Sequence, residues 1–206
     1  MWESFYPEYH KVGPPYVTAD VIQAILPNAK LLVSFRDPTA RLFSGYVYFN
    51  LKREKTASAK AFHDKVVSEL SWFKTCTSNR SIRACAYSAR DGVRIHVGLY
   101  SVYTKDWLER FPPDQLMFLK LEEWGSNCTG ILPKIYKFLE VSTLTSSRIQ
   151  EICSWKTRNA NAKNLEAVGP MLNKTRDLLR KFYRPFVKEL ADMLNDTRFL
   201  WDYLDS

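Results

Sequence analysis

The run Leu31-Leu32-Val33-Ser34-Phe35 constrains this chain more than any other segment. A short, largely apolar run bounded by turn signals reads as a strand buried on both faces, as in a parallel sheet. Asp37-Pro38 then starts a helix, with Asp as its cap and Pro at the first helical position, where the missing N–H costs nothing. That helix should run to about Phe49. The strand therefore feeds a helix with a single residue, Arg36, at the junction.

The same alternation continues along the chain. Val21, Ile22, Ile25 and Leu26 have the rhythm of a short helix that Thr18 can cap and Pro27-Asn28 ends. Further helical patterns lie around Phe62, Val66, Leu70 and Phe73, and from Val102 to Phe111, where Pro112-Pro113 stops the run. Leu116 to Leu121 reads as a second strand. Ile131, Ile135, Phe138 and Leu139 mark another helix, and Leu178, Leu179, Phe182, Tyr183, Phe186, Leu190 and Leu194 mark a long amphipathic one. Helices alternating with strands make an α/β protein. With 206 residues one domain can bury roughly 70% of the surface its unfolded chain exposes, so a full core is within reach.

Charge narrows the partners. The chain carries 30 Lys and Arg against 22 Asp and Glu, a net charge of +8. Two regions hold the surplus: Lys30 to Lys65 has 8 basic and 3 acidic residues, and Gln150 to Leu190 has 9 and 4. A basic surface suits nucleic acid, an anionic membrane, an acidic polysaccharide or a phosphorylated cofactor. No helix-turn-helix, zinc-finger or ribonucleoprotein pattern supports nucleic acid. No apolar run reaches the ~18 to 20 residues of a spanning helix, and the first residues lack the pattern of a signal peptide.

Four Asn-x-Ser/Thr acceptor sequences, at Asn79, Asn127, Asn173 and Asn195, nevertheless lean towards a lumenal protein. The cysteines are Cys76, Cys85, Cys128 and Cys153, and their spacing fits no zinc knuckle. Cys76 and Cys85, nine residues apart around a polar turn, are the best disulfide candidates; four reduced core cysteines are the alternative.

Chemistry concentrates after the first strand. Arg36 falls at its carboxyl end, the edge outside which open α/β sheets bind ligands. Arg41, Ser44 and Tyr48 share one helix face, and Arg36 with Ser44 offers a guanidinium fork and a hydroxyl to a phosphate monoester. A structural role for Arg36, pairing with Asp37 or capping a helix, is the competing reading.

A buried strand followed by Arg-Asp-Pro-x-x-Arg-x-x-Ser-x-Tyr resembles the 3′-phosphate-binding motif of sulfotransferases that use 3′-phosphoadenosine 5′-phosphosulfate (PAPS). The runs Arg83-Ala84-Cys85-Ala86-Tyr87, Gly98-Leu99-Tyr100-Ser101-Val102-Tyr103, Asp106-Trp107-Leu108, Leu121-Glu122-Glu123, Gly169-Pro170-Met171 and Phe182-Tyr183-Arg184-Pro185-Phe186 are similar to the N-acetylgalactosamine 4-sulfate 6-O-sulfotransferase family. The resemblance implies a sulfotransferase fold, a P-loop-like parallel sheet flanked by helices. It also implies a Golgi-lumen enzyme, type II membrane-anchored at full length, that moves a sulfo group from PAPS to the 6-hydroxyl of GalNAc 4-sulfate in chondroitin or dermatan sulfate. No metal is required. Arg36 and Ser44 would hold the 3′-phosphate, and Lys163, competing with Lys156 and Arg158, would approach the cofactor or the sulfo group.

Two departures from the family stand out. The 5′-phosphosulfate loop and the carboxylate or His that follows it have no counterpart before Arg36, so residues 1–206 read as a single sulfotransferase domain, N-terminally truncated and expected to be inactive alone. The second is Val187, where the family usually has Asn. Glu8, His10, His63 and His96 are the candidates for a general base, and none sits in a motif that places it. Glu122 and Glu123 read as partners of a nearby base or of substrate, and Trp107 and Trp124 as core residues, Trp124 with sugar stacking as an alternative. The rival class is a non-catalytic lumenal glycosaminoglycan-binding protein, which keeps the basic surface without needing Arg36 and Ser44 in register.

Overall fold

The structure, a computed structural model, describes residues 4–53, 57–88, 92–155 and 162–203, without the side chains of 50–53 and 162–164. Strands β1 (Leu31–Phe35) and β2 (Leu116–Lys120) pair in parallel, with Leu31 opposite Leu116 and Phe35 opposite Lys120. Around them run α1 (Thr18–Ile25), α2 (Pro38–Arg53), α3 (Ala59–Thr77), α4 (Ile82–Tyr87), α5 (Tyr100–Leu108), α6 (Leu121–Leu139), α7 (Ser146–Ser154), α8 (Ala162–Val168) and α9 (Asn173–Leu194). The result is a mixed α/β arrangement, a parallel two-strand sheet flanked by helices.

Local chemistry sets the helix starts. The Asp37 carboxylate accepts from the Ala40 N–H at 2.6 Å, and the side chains of Ser58, Ser81 and Thr145 accept from the third residue of α3, α4 and α7. The second strand runs straight into α6, whose start lies ten residues before the apolar pattern at Ile131. Asn127 interrupts that helix with φ −142° and ψ 38°, a kink that hides the early turns from a periodicity argument. Three short helices, α4, α7 and α8, have no counterpart in the sequence patterns, because six to nine residues carry too few apolar repeats to register.

One core gathers Leu42, Phe43, Val47, Phe62, Val66, Leu179, Tyr183 and Val187 from α2, α3 and α9. Each such side chain contributes about 1.5 to 3 kcal/mol on burial. Val187 is 2% exposed, so the departure at that position packs the helix into the core. A second cluster lies between sheet and α9: Phe35 stacks on Tyr100 at 4.6 Å between ring centres and meets Phe199 edge-on at 5.8 Å.

β1 departs from the two-faced burial expected of it. Phe35 is buried, but Leu32 is 42% exposed and Ser34 is also open, because no element among the described residues covers that face. Trp124 is likewise no core residue at 37% exposure, while Trp107 is half-buried against Phe111. All four cysteines pair: Cys76 with Cys85, and Cys128 with Cys153, tying α3 to α4 and α6 to α7. Asn79, Asn127, Asn173 and Asn195 are all exposed.

Candidate functional site

Parallel pairing puts the carboxyl ends of both strands at one edge, and the backbone there is fastened from several sides. The Tyr100 hydroxyl donates to the Arg36 carbonyl at 3.0 Å. The Asp37 N–H donates to Glu122 Oε1 at 2.8 Å, joining the residue after Arg36 to the first turn of α6. The Thr39 N–H donates to the Tyr203 hydroxyl at 3.3 Å, and the two hydroxyls share a 2.6 Å bond. Burial pushes the Asp37 carboxyl above its ordinary value, helped by the Glu122 charge and opposed by the Ala40 N–H, Tyr203 and Arg180.

Against that fixed backbone, the Arg36 side chain is half-buried and makes no hydrogen bond or ion pair among the described residues. Ser44, on the second turn of α2, is also half-buried with its hydroxyl unspent among them. A structural Arg36 would be paired; instead Asp37 spends its carboxylate on the α2 cap. One guanidinium, at the carboxyl end of β1, and one hydroxyl, on the second turn of α2, therefore stay without a protein partner among the described residues.

The remaining candidates scatter. Arg41, on the same α2 face as Ser44, donates from Nη2 to the Arg94 carbonyl at 3.1 Å. His63 bonds the Thr175 hydroxyl at 2.8 Å between α3 and α9, while Glu8 and His10 are exposed near a short 3-10 helix at Pro7–Tyr9. His96 lies in the 3-10 helix Ile95–Gly98, where burial and then Arg41 and Arg94 hold its pKa below the ordinary value. Glu123 pairs with Arg198 at 2.9 Å, so both acids of Glu122-Glu123 hold the protein together. Lys163 belongs to α8 with its side chain outside the described residues, as are Lys156 and Arg158 entirely.

A groove of about 460 Å³ lined by Arg83, Ser101, Lys105, Asp106 and Glu189 lies elsewhere, between α4, α5 and α9, and does not include Arg36 or Ser44. Its Arg83 is already paired to Asp106 at 3.0 Å. What sequence reasoning missed is the positioning set, Tyr100, Glu122 and Tyr203. Tyr100 stands within a quoted family run, but nothing local shows that its hydroxyl reaches Arg36.

The family model for the sulfotransferase domain matches residues 17–183, a span that contains Arg36, Ser44 and Tyr100. The chain belongs to the sulfotransferase family. Members of this family are transferase enzymes. The chain is 40% identical to carbohydrate sulfotransferase 15 of Homo sapiens over 97% of its own length and 36% of that protein's. Carbohydrate sulfotransferase 15 of Nototodarus sloanii is 30% identical, over 66% of this chain and 88% of that protein. This sulfotransferase chain thus spans about a third of the length of its human relative. In structure it is similar to a sulfotransferase from Alicyclobacillus acidocaldarius, with a TM-score of 0.56 and 21% identity over 87% of this chain and 60% of that one, a likeness of fold.

Proposed function

We propose that this chain takes part in sulfo transfer from PAPS to the 6-hydroxyl of GalNAc 4-sulfate in chondroitin or dermatan sulfate. The observation that carries the reading is the unspent pair that follows β1: Arg36 at the strand's carboxyl end and Ser44 on the second turn of α2 have no protein partner among the described residues, and open α/β sheets bind ligands outside that end of their strands. In this reading Arg36 forms a charge-assisted fork to the donor's 3′-phosphate and Ser44 adds a neutral hydrogen bond. Lys163, on α8 beside α2, is assigned to approach the cofactor or the sulfo group. PAPS supplies the activated sulfo group when bound. The protein's part is to orient it and to offset its charge, by positioning and electrostatics.

The acceptor assignment draws on the similarity to carbohydrate sulfotransferase 15 and on the basic surplus, since α2 of the first basic region packs against α8 and α9 of the second. A Golgi-lumen location, with a membrane anchor in the full-length protein, agrees with two disulfides and four exposed acceptor asparagines. Among the described residues no helix is long and apolar enough to cross a membrane.

The deciding experiment measures binding of adenosine 3′,5′-bisphosphate and adenosine 5′-phosphate to wild type and Arg36→Ala. Loss of a charge-assisted bond of ~1.5 to 3 kcal/mol weakens the bisphosphate roughly ten- to a hundredfold, with the monophosphate unchanged. Ser44→Ala costs less. Equal weakening of both nucleotides makes Arg36 structural and leaves glycosaminoglycan binding without catalysis as the surviving function.

A further inference from the structure

Residues 10–14 lie as a strap against the stretch that the Cys76–Cys85 disulfide closes. Four donors from that stretch are spent on its carbonyls: Arg80 Nε on His10, the Ser81 N–H on Lys11, the Ser81 hydroxyl on Val12 and Arg83 Nη1 on Pro14, each at 2.7 Å. Arg83 is itself held by the buried Asp106 at 3.0 Å. Gly13 completes the fit at φ +116°, where a Cβ would lie 3.0 Å from Arg83 Nη1.

With its backbone fastened to the protein, this segment leaves aromatic side chains in solvent. Tyr6, Tyr9 and Tyr16 are exposed, Tyr16 at 68%, as is Phe5 at 75%. Tyr6 meets both of the other tyrosines edge-on, its ring centre 6.4 Å from that of Tyr9 and 6.3 Å from that of Tyr16. None of the three hydroxyls has a partner among the described residues. His10 and Lys11 are likewise exposed and their side chains unpaired among them, and Glu8 is the one acid of residues 4–16. Arg80 adds a guanidinium, set against the strap by its bond to the His10 carbonyl.

A contiguous exposed aromatic surface marks an interaction site. A purely apolar partner would strand three hydroxyls and the charges around them, whereas an amphipathic, anionic partner uses them all. A pyranose ring of an acidic polysaccharide offers an apolar C–H face, hydroxyls at its rim and a carboxylate or sulfate, which match the tyrosine faces, the tyrosine hydroxyls and the cations in turn. We infer that Tyr6, Tyr9 and Tyr16, with Lys11 and Arg80, form a stacking subsite for the polysaccharide acceptor, sharing no residue with the Arg36 and Ser44 pair. The inference rests on the proposed carbohydrate acceptor and deepens it. A strap already fixed by four hydrogen bonds loses little entropy when a chain binds, and sugars held away from the reacting one contribute binding energy that positions it.

The test titrates the full chain, carrying carbon-13-labelled tyrosine, with chondroitin 4-sulfate hexasaccharide and follows the ring resonances that Tyr6→Phe, Tyr9→Phe and Tyr16→Phe assign. All three should shift saturably. Tyr9→Ala and Tyr16→Ala, at exposed positions, should each weaken the hexasaccharide about three- to tenfold with the urea midpoint unchanged. The Phe variants keep the ring face and should lose less. Lys11→Gln should weaken the hexasaccharide and flatten its salt dependence. Adenosine 3′,5′-bisphosphate should bind every one of these variants as tightly as wild type. Hexasaccharide that binds wild type without moving these rings, or binds both Ala variants at wild-type strength, would overturn the subsite and leave the acceptor reading standing. Ring shifts produced by phosphatidylserine vesicles and not by hexasaccharide would also overturn it, in favour of a membrane contact. A wild type that binds no chondroitin 4-sulfate removes the acceptor reading itself, and this subsite with it.

Discussion

The Tyr100 hydroxyl holds the Arg36 carbonyl at 3.0 Å, so the first residue of α5 fixes the backbone of the residue that follows β1. Tyr100 is buried against Phe35, and burial pushes its hydroxyl up to about 12, which keeps it a donor throughout the working range of pH. Arg36 is thereby presented from a rigid floor, with its guanidinium free of protein partners among the described residues.

Tyr100→Phe should therefore keep the stacking on Phe35 and lose one hydrogen bond. The expected cost is about 0.5 to 1.5 kcal/mol of stability, read from urea midpoints. Affinity for adenosine 3′,5′-bisphosphate should fall by less than in Arg36→Ala, with adenosine 5′-phosphate unaffected. An affinity loss equal for both nucleotides would show that Tyr100 acts on more than the Arg36 contact.

Asp37 gives a pH signature. Its folded-state pKa is raised by burial, so the protonated form is favoured in the folded protein. The resulting stability is present below the unfolded value of about 3.9 and is lost as pH rises through the folded one. Asn in this place keeps an acceptor for the Ala40 N–H but never ionises. The stability of Asp37→Asn relative to wild type should accordingly grow as pH rises from about 3.9 towards neutrality, measured as urea midpoints at matched pH. A difference that shrinks over that interval would refute the assignment.

Gly98 leaves no room for a side chain. A Cβ there would lie 2.7 Å from Tyr183 Cε1, and Tyr183 is fully buried with its hydroxyl donating to the Ile95 carbonyl at 2.8 Å. Gly98→Ala should cost about 1 to 3 kcal/mol through overpacking. It should also disturb the Ile95–Gly98 turn that carries His96. Unchanged thermal stability would mean that α9 gives way more easily than its packing suggests.

The acceptor reading predicts steep salt dependence. Contacts between a basic surface and a sulfated polysaccharide are screened over ~8 Å at 0.15 M ionic strength. Affinity for chondroitin 4-sulfate should fall severalfold between 0.05 and 0.3 M salt, roughly the range across which the screening length halves. A flat response would count against an acidic polysaccharide partner.

Both strands, the cap at Asp37-Pro38, the long amphipathic helix and the Cys76–Cys85 pair were legible in the amino-acid sequence, because each depends on residues a few positions apart. Residue order also placed Arg36 at the strand end. Order alone left open whether Arg36 pairs with Asp37. Tertiary structure decided that by spending Asp37 on the α2 cap and on Tyr203, and by bringing Tyr100 from 64 residues away to the Arg36 carbonyl. It also drew Glu122 and Glu123 into backbone and ion-pair contacts and joined Cys128 to Cys153. Those outcomes rest on contacts between distant segments, which hydrophobic period and local spacing do not encode.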